Sequence, residues 1–166
     1  APDVVTMGKP MGNGHPIAAV FARPDVMAAF RDAFGYFNTF GGNPVSAAAA
    51  MAVLDVIEGE GLQANARDVG AYVVERLSAL THPRIAQVRG IGLFFGVEFL
   101  LDDGEPATTF VADLIEGMVA RGVLLNNIGK FRNTLKMRPP MPFSRENADL
   151  LVDTLAEVLA ETPVRR

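Results

Sequence analysis

Near its start the chain contains the stretch Val4-Val5-Thr6-Met7-Gly8-Lys9-Pro10-Met11-Gly12-Asn13-Gly14-His15-Pro16. Its β-branched beginning predicts a strand, and the glycines and prolines that follow predict a loop. Lys9 lies in this loop, close to the strand end. Glycines at 8, 12 and 14 have no Cβ and allow another group to come close to the backbone. Such a lysine suits Schiff-base chemistry if burial lowers the pKa of its ammonium. The alternative is a solvated lysine in an ordinary turn, and the loop alone does not separate the two.

The composition indicates one domain-sized, core-forming chain of 166 residues, 49% of them hydrophobic. A net charge of −4 argues against nucleic-acid binding, which needs clustered Lys and Arg. The chain has no cysteine and only two histidines, His15 and His82, so neither a disulfide framework nor a metal site is expected. The longest apolar run, Ala47 to Leu54, is far shorter than the ~20 residues that span a bilayer. We therefore expect a cytoplasmic protein without nucleic-acid or membrane partners.

Predicted strands and helices alternate along the chain. The pattern predicts strands at about Val4–Thr6, Ile17–Phe21, Ile85–Val88, Leu93–Leu101, Val123–Leu125 and Leu135–Met137, and helices at about Pro24–Phe34, Pro44–Glu58, Leu62–Leu80, from Thr108 or Thr109 to Arg121, and after Ser144. This alternation predicts an α/β or α+β layer arrangement. Residues 1–80 are expected to be the end of a larger domain, and residues 81–166 a small α+β domain.

Two further segments carry candidate binding residues. In Asn38-Thr39-Phe40-Gly41-Gly42-Asn43-Pro44, the last two residues predict a helix start, and the Thr39 hydroxyl with the glycine amides ahead of it would favour an anion. In Leu135-Lys136-Met137-Arg138-Pro139-Pro140, strand alternation places Lys136 and Arg138 on one face. Thr39 as a turn residue, and solvated charges at 136 and 138, remain the alternatives.

These segments resemble the class III pyridoxal-phosphate aminotransferase family. Residues 2–16 are similar to its cofactor-lysine segment, and residues 38–44 to its Thr-aromatic-Gly-Gly-Asn-Pro motif. The run Ile128-Gly129-Lys130-Phe131-Arg132-Asn133-Thr134-Leu135-Lys136 is similar to the Gly-x-x-Arg-Asn-x-Leu-Lys run of its phospho-lyase branch, which acts on ethanolamine phosphate and phosphohydroxylysine. His15 also matches that branch, although a lone histidine beside a proline is more often structural. The resemblance covers nearly the whole chain.

The resemblance implies the C-terminal part of an aspartate-aminotransferase-like fold: the end of the large-domain sheet, which binds pyridoxal 5'-phosphate, and a small α+β C-terminal domain. It implies that Lys9 forms the Schiff base with pyridoxal 5'-phosphate and later acts as the proton-transfer base. Thr39 would reach the cofactor phosphate of the neighbouring subunit in a homodimer with a shared active site. Lys136 stands where many aminotransferases of the class have a carboxylate-binding arginine, and Arg138 and Arg132 are further substrate-binding candidates.

Three functional interpretations follow. The leading one is a phospho-lyase that eliminates phosphate from a small-molecule amine substrate. The second is a true transaminase that moves the amino group to a keto acid such as pyruvate or glyoxylate, because both reactions begin in the same way. In the third, the chain by itself is inactive and only self-associates, since the family's N-terminal half would precede Ala1. We therefore expect this chain to be a C-terminal piece of a longer enzyme.

Overall fold

The computed structural model describes residues 1–163, which form two compact units, one of residues 1–60 and one that begins at Gly61. In chain order the elements are β1 (Val4–Met7), a 3-10 turn (Lys9–Gly12), β2 (Ala19–Ala22), α1 (Pro24–Ala33), α2 (Pro44–Gly59), α3 (Leu62–Ser78), β3 (Ile85–Ile91), β4 (Phe94–Phe99), α4 (Thr108–Ala120), β5 (Asn126–Ile128), β6 (Thr134–Met137) and α5 (Arg145–Glu161). The predicted α/β class is confirmed.

The first unit contains a two-stranded antiparallel sheet in which Thr6 of β1 lies opposite Val20 of β2. The second strand begins later than predicted, because Ile17 belongs to the loop. A methyl group of Ile17 lies 2.7 Å from where a Cβ on the buried Gly12 would be, so this side chain covers the loop instead of extending the strand. The loop conformation therefore delays the start of β2.

Helix α2 begins at Pro44 as predicted, with Asn43 as its N-cap. The Asn43 carboxamide oxygen accepts a hydrogen bond from the backbone N–H of Ser46 at 2.9 Å. None of the residues of α2 is buried, and its large apolar side chains at 45, 51, 54 and 56 are 48–70% exposed. Helix α2 therefore presents exposed apolar surface.

The second unit is built on a four-stranded antiparallel sheet in the order β3-β4-β6-β5, against which α3, α4 and α5 pack. On β4 the alternate side chains of Phe95, Val97 and Phe99 are buried, as expected for a strand with one face turned to a core. Helices α3, α4 and α5 contribute most of the remaining core residues. This unit therefore has its own hydrophobic core.

Helix α3 belongs to the second unit, although the sequence assigned it to residues 1–80. Its apolar stripe of Val69, Val73 and Leu77 is buried in the second core. The helix also approaches the β3–β4 hairpin so closely that a Cβ on Gly70 would lie 2.1 Å from the carbonyl oxygen of Gly92. The compact units consequently divide before α3, whereas the domain boundary of a whole enzyme near residue 80 stays a prediction.

Two local predictions in this unit are wrong. The strand expected at Val123–Leu125 is instead β5, because the N–H of Val123 bonds the carbonyl of Met118 at 2.9 Å and completes the exit from α4. The expected threonine cap of α4 is also missing, since Ala107 is the N-cap and no side chain caps it. The Thr108 hydroxyl instead donates to the carbonyl of Phe131 at 2.5 Å.

The start of α5 agrees with the sequence. Ser144 and Asn147 form a reciprocal capping box, in which an asparagine replaces the usual acidic residue. Among the described helices, none combines the length and the apolar character needed to cross a lipid bilayer.

Candidate active site

Lys9 lies two residues after the end of β1, at the start of the 3-10 turn that runs to Gly12. Its φ of 51° is in the left-handed region, which costs a residue other than glycine of order 1–3 kcal/mol and persists only where neighbouring structure holds it. That support includes backbone hydrogen bonds from Asn13 to Pro10 at 2.9 Å and from His15 to Gly12 at 3.0 Å. The Lys9 side chain is exposed, so residues 1–163 do not supply the burial that the sequence argument expected.

Thr39 lies in the turn that precedes α2, and its side chain is exposed. Asn38 organises this turn, because its carboxamide oxygen accepts from the backbone N–H groups of Phe40 at 3.2 Å and Gly41 at 3.0 Å. The Thr39 hydroxyl makes no hydrogen bond within residues 1–163. Thr39 is therefore presented on an ordered turn at the N-terminus of a 16-residue helix.

A side-chain hydrogen bond joins the lysine loop to α2. The Nε2 atom of His15 lies 2.8 Å from the hydroxyl of Ser46, which is also 3.0 Å from the Asn43 carboxamide nitrogen. The same nitrogen donates to the carbonyl of Phe40 at 2.8 Å. Sequence reasoning treated His15 as structural and did not single out Ser46, whose only sequence signal is its place three residues after the N-cap Asn43.

In the second unit, Lys136 and Arg138 line one cleft with a volume of about 480 Å³. Lys136 is half-buried on β6, and Arg138 is exposed just beyond the end of that strand. Their common cleft agrees with the alternation read from the sequence. Apolar side chains form much of the wall, including Leu124 and Leu150, neither of which the sequence analysis identified.

Arg132 is not among the residues that line this cleft. It lies in the loop between β5 and β6, where it is exposed and adopts a left-handed φ of 53°. Its carbonyl accepts a hydrogen bond from the carboxamide of Asn127 at 3.2 Å. In the same loop the Lys130 ammonium lies 5.1 Å from the ring centre of Phe131. Arg132 therefore does not share the cleft of Lys136 and Arg138.

Acidic and histidine side chains do not converge on a metal-binding group anywhere in residues 1–163. The candidate residues thus form two sets. Lys9 and Thr39 belong to the first unit, and the three basic candidates at 132, 136 and 138 belong to the second.

A family model described as aminotransferase class-III matches residues 1–159. The chain belongs to the class III aminotransferase family. This result confirms the resemblance seen in the sequence motifs. The roles of Lys9, Thr39, Lys136, Arg138 and Arg132 stay predictions.

Individual relatives include both aminotransferases and phospho-lyases. The chain is 44% identical over 158 residues to alanine–glyoxylate aminotransferase 2 homolog 2, mitochondrial, of Arabidopsis thaliana, covering 93% of this chain and 33% of that protein. It is 39% identical over 163 residues to ethanolamine-phosphate phospho-lyase homolog 1 of Caenorhabditis elegans, covering 95% and 35%. The chain therefore spans about a third of the length of these curated relatives.

A solved structure of a phospholyase from Arthrobacter, in complex with phosphoethanolamine, has nearly the same fold. The TM-score is 0.94 at 46% sequence identity, and the match covers 98% of this chain and 40% of that one. The expected C-terminal portion of this fold is thereby confirmed.

Proposed function

We propose that this chain is part of a pyridoxal-phosphate-dependent enzyme that eliminates phosphate from a phosphorylated amine. The observation that carries the proposal is the position of Lys9, whose strained backbone is held at a strand end in a turn of defined hydrogen bonds. A lysine whose backbone is fixed in this way suits a covalent attachment point. Likeness to the phospholyase from Arthrobacter supports the choice of reaction.

The side chains of the first unit fit pyridoxal phosphate. Lys9 offers an exposed primary amine for covalent attachment. Thr39 offers an exposed hydroxyl beside the N-terminus of α2, where the helix dipole and backbone N–H groups favour a phosphate. The bound cofactor would supply an electron sink. Lys9 would hold it and then remove the proton from the amine-bearing carbon of the substrate, while Thr39 would serve the partner subunit of a homodimer.

The basic residues of the second unit suit an anionic substrate. Lys136 brings a compact point charge and Arg138 a planar fork of donors to a cleft with apolar walls. These two groups would recognise the phosphate of a small amine, and Arg132, which lies outside the cleft lining, is a further candidate for substrate binding. Recognition of phosphate would distinguish the lyase from an enzyme that selects a carboxylate.

A true transaminase is the second candidate function. The Arabidopsis relative, named as an aminotransferase, shares 44% of the aligned residues. In that case, Lys9 and Thr39 would keep their roles and Lys136 would bind a carboxylate. The third interpretation is that this chain alone only self-associates through the exposed apolar side chains of α2.

The deciding experiment measures inorganic phosphate released by the full-length protein with pyridoxal phosphate and O-phosphoethanolamine, in the absence of a keto acid. We expect turnover that Lys9→Ala abolishes, while Arg31→Ala on the exposed surface of α1 leaves it unchanged. Amino transfer to pyruvate or glyoxylate without phosphate release would establish the transaminase instead. If neither reaction occurs, both functional candidates are refuted.

Substrate recognition is tested separately with Lys136→Met and Arg138→Met. Because a lost charge contact weakens binding, we expect each change to raise KM for O-phosphoethanolamine by roughly tenfold, the effect of ~1.4 kcal/mol. Arg31→Met, which removes an exposed charge from α1 and lies outside the cleft lining, serves as the control. An unchanged KM in both charge variants would remove these residues from the proposed substrate site.

The cytoplasmic location and the homodimer are also part of the proposal. The Arabidopsis relative carries "mitochondrial" in its name, so cell fractionation of the source organism provides the test of location. Light scattering of the full-length protein tests the dimer, and a monomer at high concentration would contradict the shared active site.

A further inference from the structure

Consecutive backbone hydrogen bonds connect the loop that carries Lys9. These bonds run from Met11 to Gly8, from Asn13 to Pro10 and from His15 to Gly12. Helix α2 packs against the same turn. These overlapping turns connect the His15 end of the loop to the residues around Lys9.

Three half-buried polar side chains hold the His15 end of the loop. His15 bonds the Ser46 hydroxyl at 2.8 Å, and Ser46 in turn is bonded by Asn43. Asn43 reaches back to the carbonyl of Phe40, the residue after Thr39. The chain of hydrogen bonds thus starts in the lysine loop and ends in the turn that presents Thr39.

The chemistry of Ser46 makes this connection robust. A hydroxyl has one donor hydrogen and two acceptor sites, so Ser46 can accept from Asn43 and still bond His15. If the Nε2 atom of His15 carries a proton it donates to the hydroxyl, and if it does not, the hydroxyl donates to it. The connection is therefore available to either tautomer of the histidine.

We infer that His15 is a positioning residue for Lys9, acting through Ser46 to hold the lysine loop at a fixed place relative to the Thr39 turn. Lys9 has a left-handed φ that only its surroundings can maintain. Without the bond to Ser46, the loop gains freedom to relax, and the amine spends less time where it can react. The inference rests on the proposed role of Lys9 in binding the cofactor.

The test follows the attachment of pyridoxal phosphate to Lys9 in the full-length apoprotein, trapped with borohydride at timed intervals and quantified by mass spectrometry of the Lys9 peptide. We expect His15→Phe and Ser46→Ala each to slow attachment about fivefold, the effect of one lost hydrogen bond. His15→Gln, whose amide nitrogen can occupy the place of Nε2, should restore most of the rate. The double variant should be no slower than Ser46→Ala alone, because that change already removes the bond to His15.

Ser78→Ala is the matched control, because it removes a serine hydroxyl that bonds only within α3. Circular dichroism verifies that each variant is folded, and Ser46→Ala provides a minimal deletion should His15→Phe fail to fold. Attachment in the variants at the wild-type rate would overturn the role of His15 while leaving the proposed function in place. If Lys9 of the wild type is not modified at all, the proposed function fails, and with it the positioning role.

Discussion

Gly70→Ala probes the contact between α3 and the β3–β4 hairpin. The new Cβ would lie 2.1 Å from the carbonyl oxygen of Gly92 and 2.4 Å from its carbonyl carbon, so the two backbones must separate by about 1.3 Å to reach the 3.4 Å of an ordinary contact. Neither neighbour is a flexible side chain, so we take the upper end of the overpacking range, about 3 kcal/mol. The higher helix propensity of alanine offsets about 1 kcal/mol of this loss in the free energy of unfolding. The net expectation is a loss of about 2 kcal/mol.

Hydrogen exchange with mass spectrometry measures this loss where it occurs. A loss of 2 kcal/mol corresponds to roughly 30-fold faster exchange through opening of the second unit, visible in peptides covering residues 62–78 and 85–99. Gly59→Ala is the control, because no atom lies within 4 Å of the Cβ it would add. Unchanged or slower exchange in Gly70→Ala would refute the close helix–hairpin contact.

Three further predictions concern the second unit. Leu114→Ala, at a fully buried position, should lower the free energy of unfolding by about 3 kcal/mol in urea denaturation, whereas Leu124→Ala, at a position 89% exposed, should change it by less than about 0.5 kcal/mol. Thr108→Val removes the bond to the carbonyl of Phe131 and should accelerate hydrogen exchange in residues 129–133 severalfold, without loss of helix α4 by circular dichroism. Burial, and then the charge of a nearby arginine, lowers the pKa of His82 below its ordinary 6.5. The unfolded chain therefore binds this proton more tightly than the folded one. The free energy of unfolding should fall as the pH drops from 7 through 6.5 towards the lowered pKa of the folded state, and His82→Gln should remove this contribution to the pH dependence.

Local chemistry made much of the fold predictable. The helix starts at Asn43-Pro44 and at Ser144 were predicted correctly, because a cap is a contact between residues only a few positions apart. Two strands in residues 85–101 were also predicted, but the structure extends the first of them to Ile91, so that only Gly92, with a φ of 52°, and Leu93 connect β3 to β4. Family membership was also visible in the sequence, because its motifs are continuous segments.

The predictions that failed depended on distant residues. The position of β5 is set by its pairing with β6, and β2 begins at Ala19, which pairs with Met7 at the end of β1. Thr108 is of a residue type that often caps helices, yet its hydroxyl donates to the carbonyl of Phe131, 23 residues away. Propensity describes what a residue can do, and tertiary contacts decide which of those options it takes.

The sequence by itself determined the class of this protein and the identity of its candidate lysine, because Lys9 and the glycines around it form an uninterrupted motif. Only the tertiary structure revealed the left-handed backbone of Lys9, the hydrogen bond between His15 and Ser46 across 31 residues, and the shared cleft of Lys136 and Arg138. The physical reason is the distance along the chain between the residues that interact. Turn and cap preferences arise from atoms a few bonds apart, whereas side-chain hydrogen bonds and clefts form when packing brings distant segments of the chain together.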